Sequence, residues 1–421
     1  MKINILSSSE VKGGASRAAN RLHRGLSQFD IDSSMTVRSK QTDDWRVLGP
    51  SLPLGKIYSD ILSVIERVPT KMLRSTNDFM HSPAISSFLN ARTINNLDAD
   101  VINMHWICDG FLSIRTIGRI KKPMVWTLHD SWAFCGSEHH PNGINDFRYR
   151  QGYTSATRDP QEQGFDMDAW TYKRKIRHWK QKHQIISPST WLADAVSKSQ
   201  LMHDWPLKVI PNPLDTNTYK PVNKKFSREY LGLPQDKKLI LFGALNYKSN
   251  TNKGFDLLKE CLRVFTNTET YNRDEYAGVI FGSSKPQLHV GLNFDVHFMG
   301  HLVDDYSLAM LYNAVDVVIV PSRMENLPQT ATEAQSCGTP VVAFNTCGMP
   351  DSVVHKKTGY LAQPYDPVEL AKGIEWIFED TERYQKMSAD ARQRALDLWA
   401  LDKTIPQYIQ TYQDVYELSK I

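Results

Sequence analysis

Residues 316–343, DVVIVPSRMENLPQTATEAQSCGTPVVA, constrain this chain more than any other stretch. Asp316–Val320 is short, apolar and β-branched, as expected of a parallel strand buried on both faces. Pro321 ends it. Pro328 suits the first turn of a helix, where its missing N–H costs nothing. Gly338 suits the position just past that helix, and Pro340 to Ala343 start the next strand. A loop at the carboxyl end of a parallel strand, running into a helix N-terminus, is where open α/β sheets bind ligands. The helix dipole and the N–H groups near Asn326, Leu327 and Thr330 favour an anion, most often phosphate. Glu325 and Glu333 would repel that anion, so they need another purpose. Accepting paired hydrogen bonds from vicinal hydroxyls of a sugar and a ribose would be one. Glu333 lies roughly 7.5 Å along the helix axis, a spacing suited to a ligand carrying sugar, phosphates and ribose in sequence.

Strand-like runs alternate with helical ones throughout, which predicts parallel sheets flanked by helices. The expected strands of the first half are Ile3–Leu6, Val101–Met104, Met124–Leu128, Gln184–Ser187 and Lys208–Ile210. Those of the second half are Lys238–Phe242, Gly278–Phe281, Val296–Met299, Val317–Val320 and Val341–Phe344. At 421 residues the chain can hold two domains of about 200 residues each. Pro211–Ser227, with three prolines and many polar residues, is the best linker candidate. Two α/β halves joined this way would leave a cleft between them.

Composition narrows the class. A net charge of +4 does not by itself imply nucleic-acid binding. No apolar run approaches the ~20 residues that span a bilayer, and the apolar part of MKINILSSSEVKGG is too short for a signal peptide. Five scattered cysteines without a C-x-x-C pair favour reduced thiols in a cytoplasmic protein over disulfides or structural zinc.

The pattern PS-x-x-E-x7-E-x4-G-x-PVVA, from Pro321 to Ala343, resembles the nucleotide-sugar site of retaining glycosyltransferases, above all glycosyltransferase family 4. The resemblance implies an α/β chain of GT-B architecture, two Rossmann-like parallel-sheet domains facing each other across a cleft. Residues 1–215 would bind the acceptor, with helix 401–421 packing back on them, and residues 222–400 would bind the donor. Glu325 would take the donor sugar's hydroxyls and Glu333 the ribose. The implied reaction moves a sugar, with retention, from a nucleoside-diphosphate donor (UDP- or GDP-linked) to a hydroxyl acceptor. Surface polysaccharide or glycolipid synthesis is the expected setting, with a saccharide or lipid-linked acceptor and peripheral contact at the inner face of a membrane. No cofactor, bound metal or nucleic acid is expected.

Other residues extend the resemblance. Gly13 and Gly14, in GGASR with Arg17, are similar to the glycine loop placed under the donor phosphates and near the acceptor, although two glycines before a helix also make a plain tight turn. Lys253, at a helix start, would offset diphosphate charge as the sugar–phosphate bond breaks. The family's upstream Arg, after a glycine that Gly243 resembles, is missing here, and Lys248 is the nearest replacement. His129, at a strand end, would hold a donor hydroxyl and shape the pocket; Asp130 would orient that imidazole or meet the acceptor. Asn212 matches a stretch before the family's interdomain linker, where a turn role explains it equally well. Gly282 with Ser283, and Gly300 to Leu302, resemble loops bracketing the base. Cys135, Glu138, His139 and His140 are ligand types, yet adjacent histidines rarely serve one ion. The basic run Tyr172–His183 reads first as a solvated helix face and second as a membrane or diphosphate-lipid contact. The long loop 137–168 suggests acceptor recognition.

Three rival readings stand beside this one. A GT-B epimerase or hydrolase would share the donor pocket. An NAD-dependent oxidoreductase would need the G-x-G-x-x-G spacing that is absent. A non-catalytic sugar-binding scaffold would keep the pocket without turnover.

Overall fold

Strands apolar on both faces need helices on both sides of their sheet, and the chain meets that need twice. The computed structural model describes residues 1–50, 52–143, 147–243, 251–269, 271–282, 295–302 and 304–420. These divide into two compact units, Met1–Pro213 with Thr404–Ile421, and Leu214–Lys403.

The first unit holds β1 (Lys2–Ser9), β2 (Asp32–Ser39), β3 (Val47–Leu48), β4 (Val101–Met104), β5 (Met124–Thr127), β6 (Gln184–Ser187) and β7 (Leu207–Val209). They form one sheet in the order β3-β2-β1-β4-β5-β6-β7, parallel at every pairing. Helix α1 (Gly14–Gln28) follows β1, and α2 (Pro53–Arg67) follows β3. The helix Leu401–Leu418 joins this unit from Thr404 onward. There the buried Asn103 of β4 donates to the Tyr412 hydroxyl at 2.6 Å, and Lys208 pairs with Asp414 at 2.7 Å.

The second unit holds β8 (Lys238–Gly243), β9 (Tyr276–Phe281), β10 (Asp295–Phe298), β11 (Val317–Val320), β12 (Val341–Phe344) and β13 (Gly359–Ala362). Their order is β10-β9-β8-β11-β12-β13, again all parallel. In both sheets the first strand lies inside, and the chain winds outward from it first to one side and then to the other. Each sheet therefore has a point where neighbouring strands carry their following loops in opposite directions, β1/β4 in one and β8/β11 in the other.

The ten expected strands are all present, within one or two residues at their ends except β1, which runs three residues beyond Leu6 to Ser9. β2, β3 and β13 were not foreseen. β2 opens on Asp32-Ser33-Ser34 and lacks an apolar run; β3 is two residues long. β13 opens on Gly359, where a Cβ would meet the Val341 carbonyl oxygen at 2.1 Å, so this glycine serves close strand packing rather than a turn. The two units divide at Pro213 and Leu214, inside the stretch expected to be linker. Leu214 and Tyr219 are buried in the second unit, and the helix Lys224–Leu231 begins within the stretch.

Candidate functional site

The switch point of the second sheet lies between the carboxyl ends of β8 and β11, and both loops there are rich in the expected chemistry. After β8 the chain makes a short 3₁₀ turn at Thr251–Lys253, then the helix Phe255–Phe265. Gly254 between them has φ 63°, and a Cβ on it would lie 1.9 Å from the Pro321 carbonyl oxygen, so the turn packs directly on the end of β11. Asn252 fastens the two loops: its amide donates to the Met324 carbonyl at 2.7 Å and accepts from the Met324 N–H at 2.8 Å. Arg323 adds a fork onto Asp256 at 3.0 and 2.6 Å.

This clamp sets Lys253 Nζ 2.6 Å from Glu325 Oε1. A second constraint comes from behind, where the Gly348 N–H donates to the Glu325 carbonyl at 2.9 Å. A Cβ on Gly348 would fall 1.5 Å from the Asn326 carbonyl oxygen. Asn326 and Leu327 are buried, and Pro328 caps the helix Gln329–Ser336 without a side-chain hydrogen bond. That helix points its N-terminus into the same loop region, with Gly338 just past its end at φ 78°.

Glu333 is only 2% exposed, and its Oε2 accepts from the Tyr312 hydroxyl at 2.8 Å. The eight-residue spacing thus brings the second acid inward, onto the Tyr312 hydroxyl. Gly282 donates to the Gly300 carbonyl at 2.6 Å, and Leu302 packs on the core beside them, at the ends of β9 and β10. Lys248 and Ser283 lie outside the described residues.

The remaining candidates stand in the first unit. Gly13, at φ 92°, precedes α1 in a conformation only glycine holds comfortably. Around Gly13 and Gly14 there is nothing within 4 Å of where a Cβ would sit. The Arg17 N–H donates to the Gly13 carbonyl at 3.0 Å. His129 follows β5 and shares a 2.8 Å hydrogen bond, Nε2 to Nδ1, with His105 at the end of β4. Burial pushes His129 down to about 4, against the opposing pull of Asp130, so its ring is neutral at pH 7. Asp130 does not orient His129. It accepts from the His139 ring at 2.7 Å, from the Trp106 indole at 2.9 Å and from the Trp132 N–H at 3.0 Å. Burial works to raise its pKa, but the adjacent His139 overrides that and holds it well below the usual carboxylate range. Asn212 keeps its Oδ1 buried with no hydrogen-bond partner among the described residues.

Sequence reasoning missed a cavity of about 480 Å³ in this unit, lined by Glu66, Asn77, Phe79, His81, Trp106 and Asp109 among others. Its floor comes from the irregular loop 73–82, which carries no motif. Loop 137–168 is pinned internally: Glu138 accepts from the Tyr153 hydroxyl, and Asp168 from the Ser137 hydroxyl. Among the described residues no group of three or more His, Cys, Asp or Glu side chains is placed to hold a metal ion. In the basic run, Lys175 is buried, its Nζ donating to the carbonyls of Trp132, Cys135 and Gly136 and lying 3.9 Å from the Trp132 ring centroid. That lysine is structural. Among the described residues no helix is long and apolar enough to cross a membrane.

Comparison with known proteins fits this geometry. Residues 12–218 match the family model Glycosyltransferase Family 4, and residues 223–394 match Glycosyl transferases group 1. A D-inositol 3-phosphate glycosyltransferase of Xylanimonas cellulosilytica is 32% identical over 202 residues, 44% of this chain and 46% of that protein. The chain spans about half the length of the first curated relatives it matches. Among solved structures, a sucrose-phosphate synthase from Thermosynechococcus elongatus superposes with a TM-score of 0.69 at 18% identity, over 99% of each chain. HepE of Anabaena, solved with UDP and glucose, gives 0.65 at 17% identity, over 98% of this chain and 100% of its own. At such identity the likeness shows the fold, which is the GT-B architecture.

Proposed function

The chain belongs to glycosyltransferase family 4, and from that premise we propose that it transfers a sugar, with retention of configuration and without a bound metal, from a nucleoside-diphosphate donor to a hydroxyl acceptor. The observation that carries this reading is the Lys253–Glu325 pair, held at the β8/β11 switch point beside the helix N-terminus of Gln329. The two side chains act as placeholders for each other. When donor binds, the ammonium turns to the diphosphate oxygens and the carboxylate to the sugar's hydroxyls. As the sugar–phosphate bond lengthens, charge gathers on the leaving diphosphate, and Lys253 with the helix dipole stabilises it in place.

Glu333 keeps the ribose assignment that the resemblance gives it, with Tyr312 fixing its carboxylate. Gly282 and Leu302 bracket the base. In the first unit, Gly13, Gly14, Arg17, Asp130 and Asn212 are assigned to the acceptor side, and the neutral ring of His129 to a hydroxyl contact. The donor is taken to be UDP-linked, as in the HepE structure solved with UDP and glucose. The acceptor belongs to surface polysaccharide or glycolipid synthesis.

A thermal-shift and hydrolysis screen across UDP-, GDP- and ADP-sugars tests this. One conjugate should stabilise the protein, by about 2.7 kcal/mol at a hundredfold excess over its Kd. Glu325→Ala should abolish turnover while the protein stays folded. Failure of every nucleotide sugar to bind would sink the reading.

A further inference from the structure

His129 has an orienting partner, and it is not its neighbour in sequence. Asp130 is taken up by His139, Trp106 and the Trp132 N–H. The partner is His105, which follows the adjacent strand β4. Its Nδ1 lies 2.8 Å from His129 Nε2, with the ring centroids 5.1 Å apart and the planes 28° from parallel. The main chain of His105 is anchored to β1. Its N–H donates to the Leu6 carbonyl at 2.9 Å, and the next carbonyl, of Trp106, accepts from the Ser8 N–H at 2.8 Å. His105 is 3% exposed, and a ring packed this closely has little room to turn.

One proton lies between the two rings, and the ring that owns it decides what His129 can do. Both imidazoles are neutral at pH 7, because burial pushes His129 down to about 4 and His105 well below its ordinary value. A neutral imidazole has one N–H and one bare nitrogen. If His129 donated, His105 would carry its own proton on Nε2 and His129 Nδ1 would be bare. If His105 donates, its Nε2 is bare and His129 is protonated on Nδ1.

The far nitrogen of His105 chooses between these. Nε2 is buried with no hydrogen-bond partner among the described residues. His105 shares a void of about 10 Å³ with Ile107, Cys108, Trp126 and Leu128 among others. That is the lower limit for a single water, and a largely apolar wall gives a water few partners. Among buried backbone groups an orphaned N–H is rarer than an under-satisfied acceptor. The same asymmetry, applied to the ring, leaves Nε2 bare and puts the proton of His105 on Nδ1.

The structure assigns His105 as a positioning residue: its Nδ1–H donates to His129 Nε2 and so fixes His129 as the Nδ1–H tautomer, a hydrogen-bond donor and not a base. The tautomer stands on the first unit alone. Its use rests on the transferase reading, in which His129 meets a substrate hydroxyl. The Nδ1–H then donates to that hydroxyl's oxygen, and the hydroxyl's own proton is left for another acceptor.

Heteronuclear NMR of the full chain with nitrogen-labelled histidine reads the tautomer directly. In the substrate-free protein at pH 7, His129, identified by the signals lost in His129→Phe, should show Nδ1 protonated and Nε2 bare. In His105→Phe its proton should move to Nε2 or exchange between the two nitrogens. His105→Asn keeps a donor near the place of Nδ1 and should restore the native pattern. With UDP-glucose as the probe donor, His105→Phe should lower kcat by about tenfold to a hundredfold and leave KM nearly unchanged. The double variant His105→Phe/His129→Phe should be no slower than His129→Phe alone. A bare Nδ1 on His129 in the native chain, a His129 spectrum indifferent to His105→Phe, or losses that multiply in the double variant would each overturn the proposal. The native spectrum decides even where His105→Phe fails to fold. It needs no substrate, so a failed transferase reading would not be mistaken for a wrong tautomer.

Discussion

Lys253 Nζ and Glu325 Oε1 lie 2.6 Å apart although 72 residues separate them in the chain. The lysine side chain is 44% exposed and the glutamate 18%, so the pair contributes little to stability, at most about 1 kcal/mol. Its position is what matters. Lys253→Ala should move the thermal midpoint by no more than about 4 °C and lower turnover of the donor by about 10²- to 10³-fold. Paired melting curves and initial rates check this; unchanged rates would remove Lys253 from the chemistry.

Two glycines should answer alanine in opposite ways. Gly348→Ala would force a methyl onto the Asn326 carbonyl and displace the loop that carries Glu325, so it should lose donor binding and destabilise the protein by about 1–3 kcal/mol. Gly14 opens α1 with room for a side chain. Gly14→Ala should leave the fold intact, or stabilise it by about 0.4–1 kcal/mol, and lower only turnover. Full activity in Gly14→Ala would dismiss the glycine loop as a substrate contact.

Removing one hydroxyl should loosen the first unit alone. Tyr412→Phe leaves the buried Asn103 amide without its 2.6 Å acceptor, at a cost of about 1–3 kcal/mol. Hydrogen exchange read by mass spectrometry should speed up across β4 and β5 and stay unchanged across β8 and β11. Equal acceleration in both sheets would contradict the division into units.

Acid should weaken the first unit through His23, whose Nδ1 meets the Ser33 hydroxyl at 2.8 Å. Burial, helped by Arg46, pushes this imidazole from 6.5 down to about 4. The unfolded chain takes up its proton below pH 6.5 and the folded one only near 4, so stability is complete above 6.5 and drains away between the two. At pH 5 the loss is on the order of 2 kcal/mol. His23→Gln should be less stable at pH 7 yet show a flatter decline to pH 5 in denaturant titrations; an equally steep decline would clear His23.

How far the sequence disclosed all this depended on where each residue sits. β11 and β12 are central strands covered on both faces, so every side chain is apolar and the run announces itself. β2 carries Ser33, Ser34 and Thr36, which meet Asn4 and His23 rather than a greasy layer, and its pattern stays mute. Glu325 and Lys253 could each be singled out by local grammar, but their meeting depends on Asn252 bridging two loops. The inward turn of Glu333 was beyond reach because its partner Tyr312 lies on another helix. Of the two roles expected for Asp130, orienting its sequence neighbour His129 or meeting the acceptor, the first gives way because the fold pairs it with the His139 ring. The periodicity of α2 says helix without saying which side faces water. Glu66, held by the loop of Ala84, Ile85 and Ser86, and Ser63, held by Asp109, decide that.

The bond from Asn103 to Tyr412 spans 309 positions of chain. During synthesis, at roughly 5–20 residues per second, tens of seconds pass between the appearance of the first partner and the second. Throughout that interval the amino-terminal half lacks the tyrosine that receives the Asn103 amide in the finished fold, while the other half is already emerging. Completion of the earlier half is thus timed by the helix Leu401–Leu418, made some three hundred positions later, and a chain cut before that helix would harm the part of the protein made first.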